Sequence, residues 1–112
     1  MEGKSIMRDL TVLEQIILAS IISLGDDAYG VSIRKHVRNK TNKVLMYGTL
    51  YRALDQLTRK FYVTKSKGNA TEERDGSKKV YYKITKKGIE ALRAAYILQR
   101  DIWDIIPEFK SD

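Results

Sequence analysis

Arg52 and Gln56 stand one helical turn apart in the run Tyr47-Gly48-Thr49-Leu50-Tyr51-Arg52-Ala53-Leu54-Asp55-Gln56-Leu57, with Arg59 a turn further on. An arginine can bond bidentately to guanine O6 and N7, and a glutamine to adenine N6 and N7. Thr49, at the start of the same run, can bond a phosphate alongside the backbone N–H groups of a helix terminus. Some 25 residues later Lys78 and Lys79 precede Val80-Tyr81-Tyr82-Lys83-Ile84, a basic and aromatic segment suited to phosphate contact. The chemistry on offer is hydrogen bonding and charge pairing with a polyanion, not bond making. There is no cysteine, no Gly-rich phosphate loop and no Ser/His/Asp set, so an enzyme is the weakest reading. His36 is the only histidine and lies among Arg34, Lys35 and Arg38, where it reads as exposed rather than as a metal ligand. No cofactor is implied.

Each of these residues has a plainer reading. Thr49, Arg52, Gln56 and Arg59 could be a solvated helix face. Lys78 and Lys79 could keep an edge strand soluble. Charge placement decides between the readings. The net charge of +7 divides into −1 over residues 1–25, +6 over 26–66, +4 over 67–88 and −2 over 89–112. A surplus confined to the middle of a chain is the footprint of a polyanion partner.

The elements that would position these residues follow from periodicity. With 112 residues, 43% of them hydrophobic, one domain can bury roughly two-thirds of the surface of its unfolded chain. Thr11-Val12-Leu13-Glu14 has capping-box spacing. The helix after it is apolar on nearly every face, through Leu13, Ile16, Ile17, Ala19, Ile21, Ile22 and Leu24, and should be central. Gly25 suits an αL stop. Asp26-Asp27 can cap a second helix with Tyr29, Ile33 and Val37 inward, ended by the polar linker 39–43. A third helix begins near Gly48 or Thr49 with Leu50, Ala53, Leu54 and Leu57 as its buried stripe. Phe61 to Lys65 and Val80 to Ile84 read as two strands of a hairpin with a long polar tip. One of Tyr81 and Tyr82 should be core. Thr85 caps a last helix of about 20 residues, which must end at Pro107. Its two apolar rows (Ile89, Leu92, Tyr96, Trp103, and Ala91, Ala95, Leu98, Ile102, Ile105) are wider than docking on one small domain requires, which suggests a second copy of the chain. The longest apolar run, Ile16 to Ile22, is far short of the roughly 20 residues of a membrane span. A cytoplasmic setting is expected.

At this point Tyr29-Gly30-Val31-Ser32-Ile33, then Gly48-Thr49-Leu50-Tyr51-Arg52-Ala53-Leu54-Asp55-Gln56-Leu57, then Tyr81-Tyr82-Lys83-Ile84-Thr85-Lys86-Lys87-Gly88 resemble the PadR family of winged-helix transcriptional regulators. The resemblance covers roughly residues 10–105 and is closest to the small subfamily with one C-terminal helix. It implies a homodimer, a third helix in the major groove, a wing on the flanking backbone, and repression relieved by a small hydrophobic effector. Two positions depart from the family pattern. Arg52 stands where proline is usual, and Phe61 where glycine usually ends the third helix.

The expected class is therefore mainly α (α+β): a winged helix-turn-helix over residues 1–85 with a two-stranded β-wing, and a C-terminal dimerisation helix and tail over 86–112. The expected function is sequence-specific binding of double-stranded DNA at a pseudo-palindromic operator, as a repressor. The candidate DNA-binding residues are Lys43, Tyr47, Gly48, Thr49, Tyr51, Arg52, Gln56, Lys78 and Lys79. Tyr51 could equally be core. The candidate dimer or effector residues are Tyr96, Leu98, Ile102, Trp103 and Ile106. The competing reading is a winged-helix adaptor for another protein. RNA binding ranks third, because no strand aromatics with single-strand spacing are evident.

Overall fold

A computed structural model describes residues 9–68 and 79–110. Helix α1 (Val12–Leu24) opens as its sequence dictates. The Thr11 hydroxyl accepts from the Glu14 N–H at 3.0 Å, and the Glu14 carboxylate accepts from the Thr11 N–H at 2.9 Å. α1 buries Ile17, Leu18 and Ile21, but Val12 and Ile22 are largely exposed, so it is central without being covered on all sides. Gly25 ends it at φ 60°, ψ −122°. That is a positive-φ conformation outside αL, and it turns the chain into a short 3₁₀ turn, Gly25–Asp27.

The start of α2 (Gly30–Thr41) differs from expectation. Asp26 and Asp27 lie in the 3₁₀ turn, and Ser32 closes the helix end: its hydroxyl accepts from the Tyr29 N–H at 2.9 Å and reaches back to the Asp27 carbonyl. Buried Ala28 and the intervening Tyr29 make an extended step that the acidic pair cannot cap across. α2 ends at Asn42 with φ 63°, a left-handed conformation that asparagine tolerates. After a short connection α3 (Tyr47–Arg59) begins one or two residues earlier than the expected Gly48 or Thr49, and buries Leu50, Ala53, Leu54 and Leu57.

α3 stops in a full Schellman arrangement. The Tyr62 N–H donates to the Leu57 carbonyl at 3.0 Å and the Phe61 N–H to Thr58 at 3.0 Å. Phe61 itself adopts φ 64°. The phenylalanine thus takes the conformation for which glycine is usual, rather than ending the helix some other way. Because Phe61 and Tyr62 are spent on this turn, β1 runs Val63–Lys67, two residues later than expected.

β1 pairs antiparallel with β2 (Val80–Ile84), Val63 opposite Ile84 and Lys65 opposite Tyr82. The hairpin is anchored to the α1–α2 connection by a feature the hydrophobic pattern does not show: the Tyr82 N–H donates to the Ala28 carbonyl at 2.8 Å, and Tyr29 bridges Tyr81. Tyr82 is the core tyrosine. Tyr81 lies on the other face, with its ring edge-on to Tyr29 at 5.6 Å.

α4 (Lys86–Asp104) is capped by Thr85, whose hydroxyl accepts from the Gly88 N–H at 3.0 Å. It ends before Pro107, which opens a 3₁₀ turn, Pro107–Lys110, that brings Phe109 to 5.6 Å from Trp103. Its first half joins the core. A Cβ at Gly88 would collide with the Tyr62 backbone, and Ala95 is buried. Together these elements form a winged helix-turn-helix with one long C-terminal helix.

Candidate nucleic-acid interface

α3 stands with its buried stripe on α1 and α2, so its opposite side faces out. Gly48, Arg52, Gln56 and Arg59 are exposed and Thr49 is half-buried. The two flanks of this face have different neighbours. Thr49, Arg52 and Gln56 border a shallow hollow with Thr11, Leu13 and Glu14 of α1. Tyr47 and Tyr51 lie on the opposite flank, their rings stacked at 6.2 Å.

Arg34 of α2 sets this aromatic pair. Its Nε donates to the Leu45 carbonyl, and its guanidinium lies 4.6 Å from the centre of the Tyr47 ring. Tyr51 in turn lies across the start of α2. A Cβ at Gly30 would overlap the Tyr51 phenol, so the glycine permits the tyrosine's position. Tyr51 is therefore neither core nor free in solution: it packs on Gly30 and remains 45% exposed. Burial, and secondarily Tyr47, hold its phenol above the usual tyrosine range. It is a protonated donor at neutral pH.

Between Tyr51 and the wing lies an open groove of about 540 Å³ lined by Tyr29, Gly30, Val31, Lys65, Lys79 and Tyr82. The Lys79 ammonium sits 4.4 Å over the Tyr29 ring. The Tyr82 phenol is also pushed up, first by burial and then by Tyr51 and Asp55. The groove thus presents the half-exposed Tyr51 phenol and two lysines, a set of donors that suits phosphate oxygens.

The structure brings Tyr51 and Lys79 together in the groove; Thr49, Arg52 and Gln56 lie on the other flank of α3, toward α1, with Gly48 in the first turn of α3. Lys43 is exposed in the α2–α3 connection. Lys78 lies outside the described residues. The sequence reading missed Tyr29, Lys65 and Arg34. The first two are placed by the wing's pairing to Ala28 and Tyr29. Arg34 is placed by a cation–π contact across 13 residues, which no local spacing reveals.

His36 is half-buried, not exposed, with Nδ1 2.9 Å from Ser20 Oγ and Nε2 3.1 Å from Ser23 Oγ, and it links α2 to α1. Among the described residues no group of His, Cys, Asp or Glu could hold a metal ion. No helix among them is long and apolar enough to cross a membrane. At the far end of the molecule, Tyr96, Leu98, Ile102 and Trp103 are exposed on α4, and Ile106 is half-buried.

Comparison with known proteins agrees with this fold. The family model for PadR-like transcriptional regulators matches residues 17–94. The chain belongs to this family of winged helix-turn-helix transcriptional regulators. It is 30% identical to a transcriptional regulator from Clostridium thermocellum, covering 88% of this chain and 93% of that one with a TM-score of 0.72. It is 29% identical to a PadR family transcription regulator from Clostridium difficile R20291, covering 86% and 96%, TM-score 0.69. A PadR-like regulator from Bacillus cereus shares the fold at 23% identity, covering 90% and 93%, TM-score 0.70. No curated relative matches the chain. The family is one of transcriptional regulators, not an enzyme class.

Proposed function

We propose that this regulator is a cytoplasmic repressor that binds a pseudo-palindromic operator as a homodimer. α3 enters the major groove, and the wing lies on the flanking backbone. Residues 1–85 form the DNA-binding unit, and residues 86–112 supply the dimer contact. The observation that carries the reading is the gathering of Tyr51, Lys65 and Lys79 around one groove on one flank of α3, with Arg52 and Gln56 exposed on the same helix toward its other flank. Reading and positioning groups then divide naturally. Arg52 and Gln56 address base edges, while Thr49, Tyr47, Tyr51, Lys43, Lys78 and Lys79 address phosphate.

The division is testable. Arg52→Ala should weaken operator binding by about 1–3 kcal/mol and relax one position in each half-site. Lys79→Ala should weaken all sequences alike and lower the salt slope by about 1 unit per lost phosphate contact. Identical behaviour of both variants on operator and random DNA would remove the division. Absence of salt-dependent duplex binding in the unaltered protein would leave the adaptor reading in its place. A small hydrophobic effector would act between the α4 helices, where Trp103 can report it. Quenching by a flat aromatic compound together with a fall in operator affinity is the expected result. Unchanged operator affinity across a broad panel removes the effector from the reading.

A further inference from the structure

Asp55 is the only acidic residue between Asp27 and Glu72, a stretch otherwise dense in lysine and arginine. It is not at the margin of that basic surface. On α3 it falls opposite the stripe of Leu50, Leu54 and Leu57, two turns beyond Gly48, with Arg52 one turn before it and Arg59 one turn after. Its carboxylate meets the Arg59 guanidinium at 3.0 Å, and the two side chains are 48% and 78% exposed. So exposed a pair contributes little to stability, and aspartate is a poor residue for a helix interior. Helix stability therefore gives no reason for it.

A carboxylate facing phosphate is repelled. On a surface built for a polyanion, its natural counterpart is a donor. The major groove offers two, the amines of cytosine and adenine. Adenine sets its N7 acceptor beside the amine, against the second carboxylate oxygen. Cytosine sets only a C–H there. Resting on the DNA-binding reading above, we propose that Asp55 is a specificity-determining residue, accepting from the N4 amine of one cytosine in each half-site. The neighbouring Arg59 holds and partly neutralises the carboxylate. Sites that place guanine O6, thymine O4 or a phosphate opposite Asp55 are penalised.

The test is selection from random duplexes with the full chain as it stands and with Asp55→Ala and Asp55→Asn, followed by competition binding. The unaltered protein should show one position per half-site with cytosine preferred by roughly 5- to 150-fold, the range of one good base contact. Asp55→Ala should flatten that position alone and raise affinity for random DNA. Asp55→Asn should move the preference to adenine, whose N6 and N7 match an amide. Both changes are at an exposed position, and circular dichroism checks that each variant is folded. Selected sequences unchanged in both variants would overturn the proposal while leaving DNA binding intact. If the unaltered protein enriches no sequence, the DNA-binding reading fails and this proposal falls with it.

Discussion

Gly48 shows what a single residue contributes when its own chain has no use for it. It sits in the first turn of α3 on the outward side, and among the described residues nothing outside its own stretch of helix lies within 4 Å of where a Cβ would stand. Its φ is not in the positive range, so backbone geometry does not require glycine either. Glycine in a helix costs about 0.5–1 kcal/mol relative to alanine. On the DNA-binding function proposed above, the advantage that offsets this cost would be close approach of a DNA strand to the helix backbone. Gly48→Ala should therefore raise stability by up to about 1 kcal/mol in a denaturant titration and lower operator affinity on the order of tenfold, the scale of one lost contact. A variant that is both more stable and equally tight on DNA would remove Gly48 from the interface. Phe61 is the opposite case. Its φ of 64° costs about 1–2 kcal/mol in a residue with a Cβ, and its ring is 71% exposed, with the Lys87 ammonium 5.9 Å away. Phe61→Gly should stabilise the fold by about 1 kcal/mol, read as a higher urea midpoint at unchanged slope. A lower midpoint would show that the ring's surface contacts outweigh the backbone strain.

At the scale of elements, α3 is held by its buried stripe and is tied at its end to the start of α1. The Glu14 carboxylate, almost fully buried, accepts from the Lys60 ammonium at 2.8 Å while closing the capping box with Thr11. Burial raises the Glu14 pKa, but the hydrogen bonds from Lys60 and Thr11 outweigh it, and the net shift is below the usual 4.5. A carboxyl depressed in the folded state contributes stability that is fully present above its unfolded value and is lost as pH falls through the folded one. Stability should thus drop below about pH 4.5. Glu14→Gln should cost about 1.5–3 kcal/mol at pH 7 and flatten that acid limb. An equally steep acid limb in the variant would assign it to other carboxylates. The capping half of this contact is legible in the sequence, because Thr11 and Glu14 are three residues apart. The Lys60 half is not, because 46 residues separate the partners. The same distinction runs through the fold. Leu50, Ala53, Leu54 and Leu57 announce α3 by period alone. The start of β1 is displaced because a positive φ at Phe61 is invisible in residue type, and Asp26-Asp27 imitate a cap that Ser32 provides. Alternation along β2 says that one tyrosine is core, but only the hydrogen bond to Ala28 selects Tyr82. In the candidate site, the polar face of α3 was legible from its spacing, whereas Tyr29 and Lys65 enter only once the wing is tied to the α1–α2 connection.

Over the whole molecule, charge and apolar surface are separated along the chain. The basic middle carries α2, α3, the wing and the first turn of α4, and the acidic stretch 89–112 carries the rest of that helix. Beyond Ala95, α4 and its C-cap keep Tyr96, Leu98, Ile102, Trp103 and Ile105 exposed at 43–76%, with Phe109 folded toward Trp103. Water does not favour such a face uncovered. A second α4 related by a twofold axis would cover it, and the same axis would set two copies of α3 on one side of a DNA duplex. The operator should then contain two inverted half-sites with centres about 10 bp apart or a multiple of this. Dimerisation also converts the second half-site contact into an intramolecular event, so losing the dimer should cost far more affinity than losing one side chain. Replacing Ile102 and Trp103 together by glutamate alters two exposed positions and should leave the helical spectrum intact. It should also convert the protein to monomers in sedimentation and lower operator affinity by at least the order of 10²-fold, while binding to random duplex at low salt falls much less. A doubly charged variant that still sediments as a dimer would move the interface off the end of α4. A monomer that binds the full operator as tightly as the parent would show that one chain reads one site, and the palindrome with it would be lost.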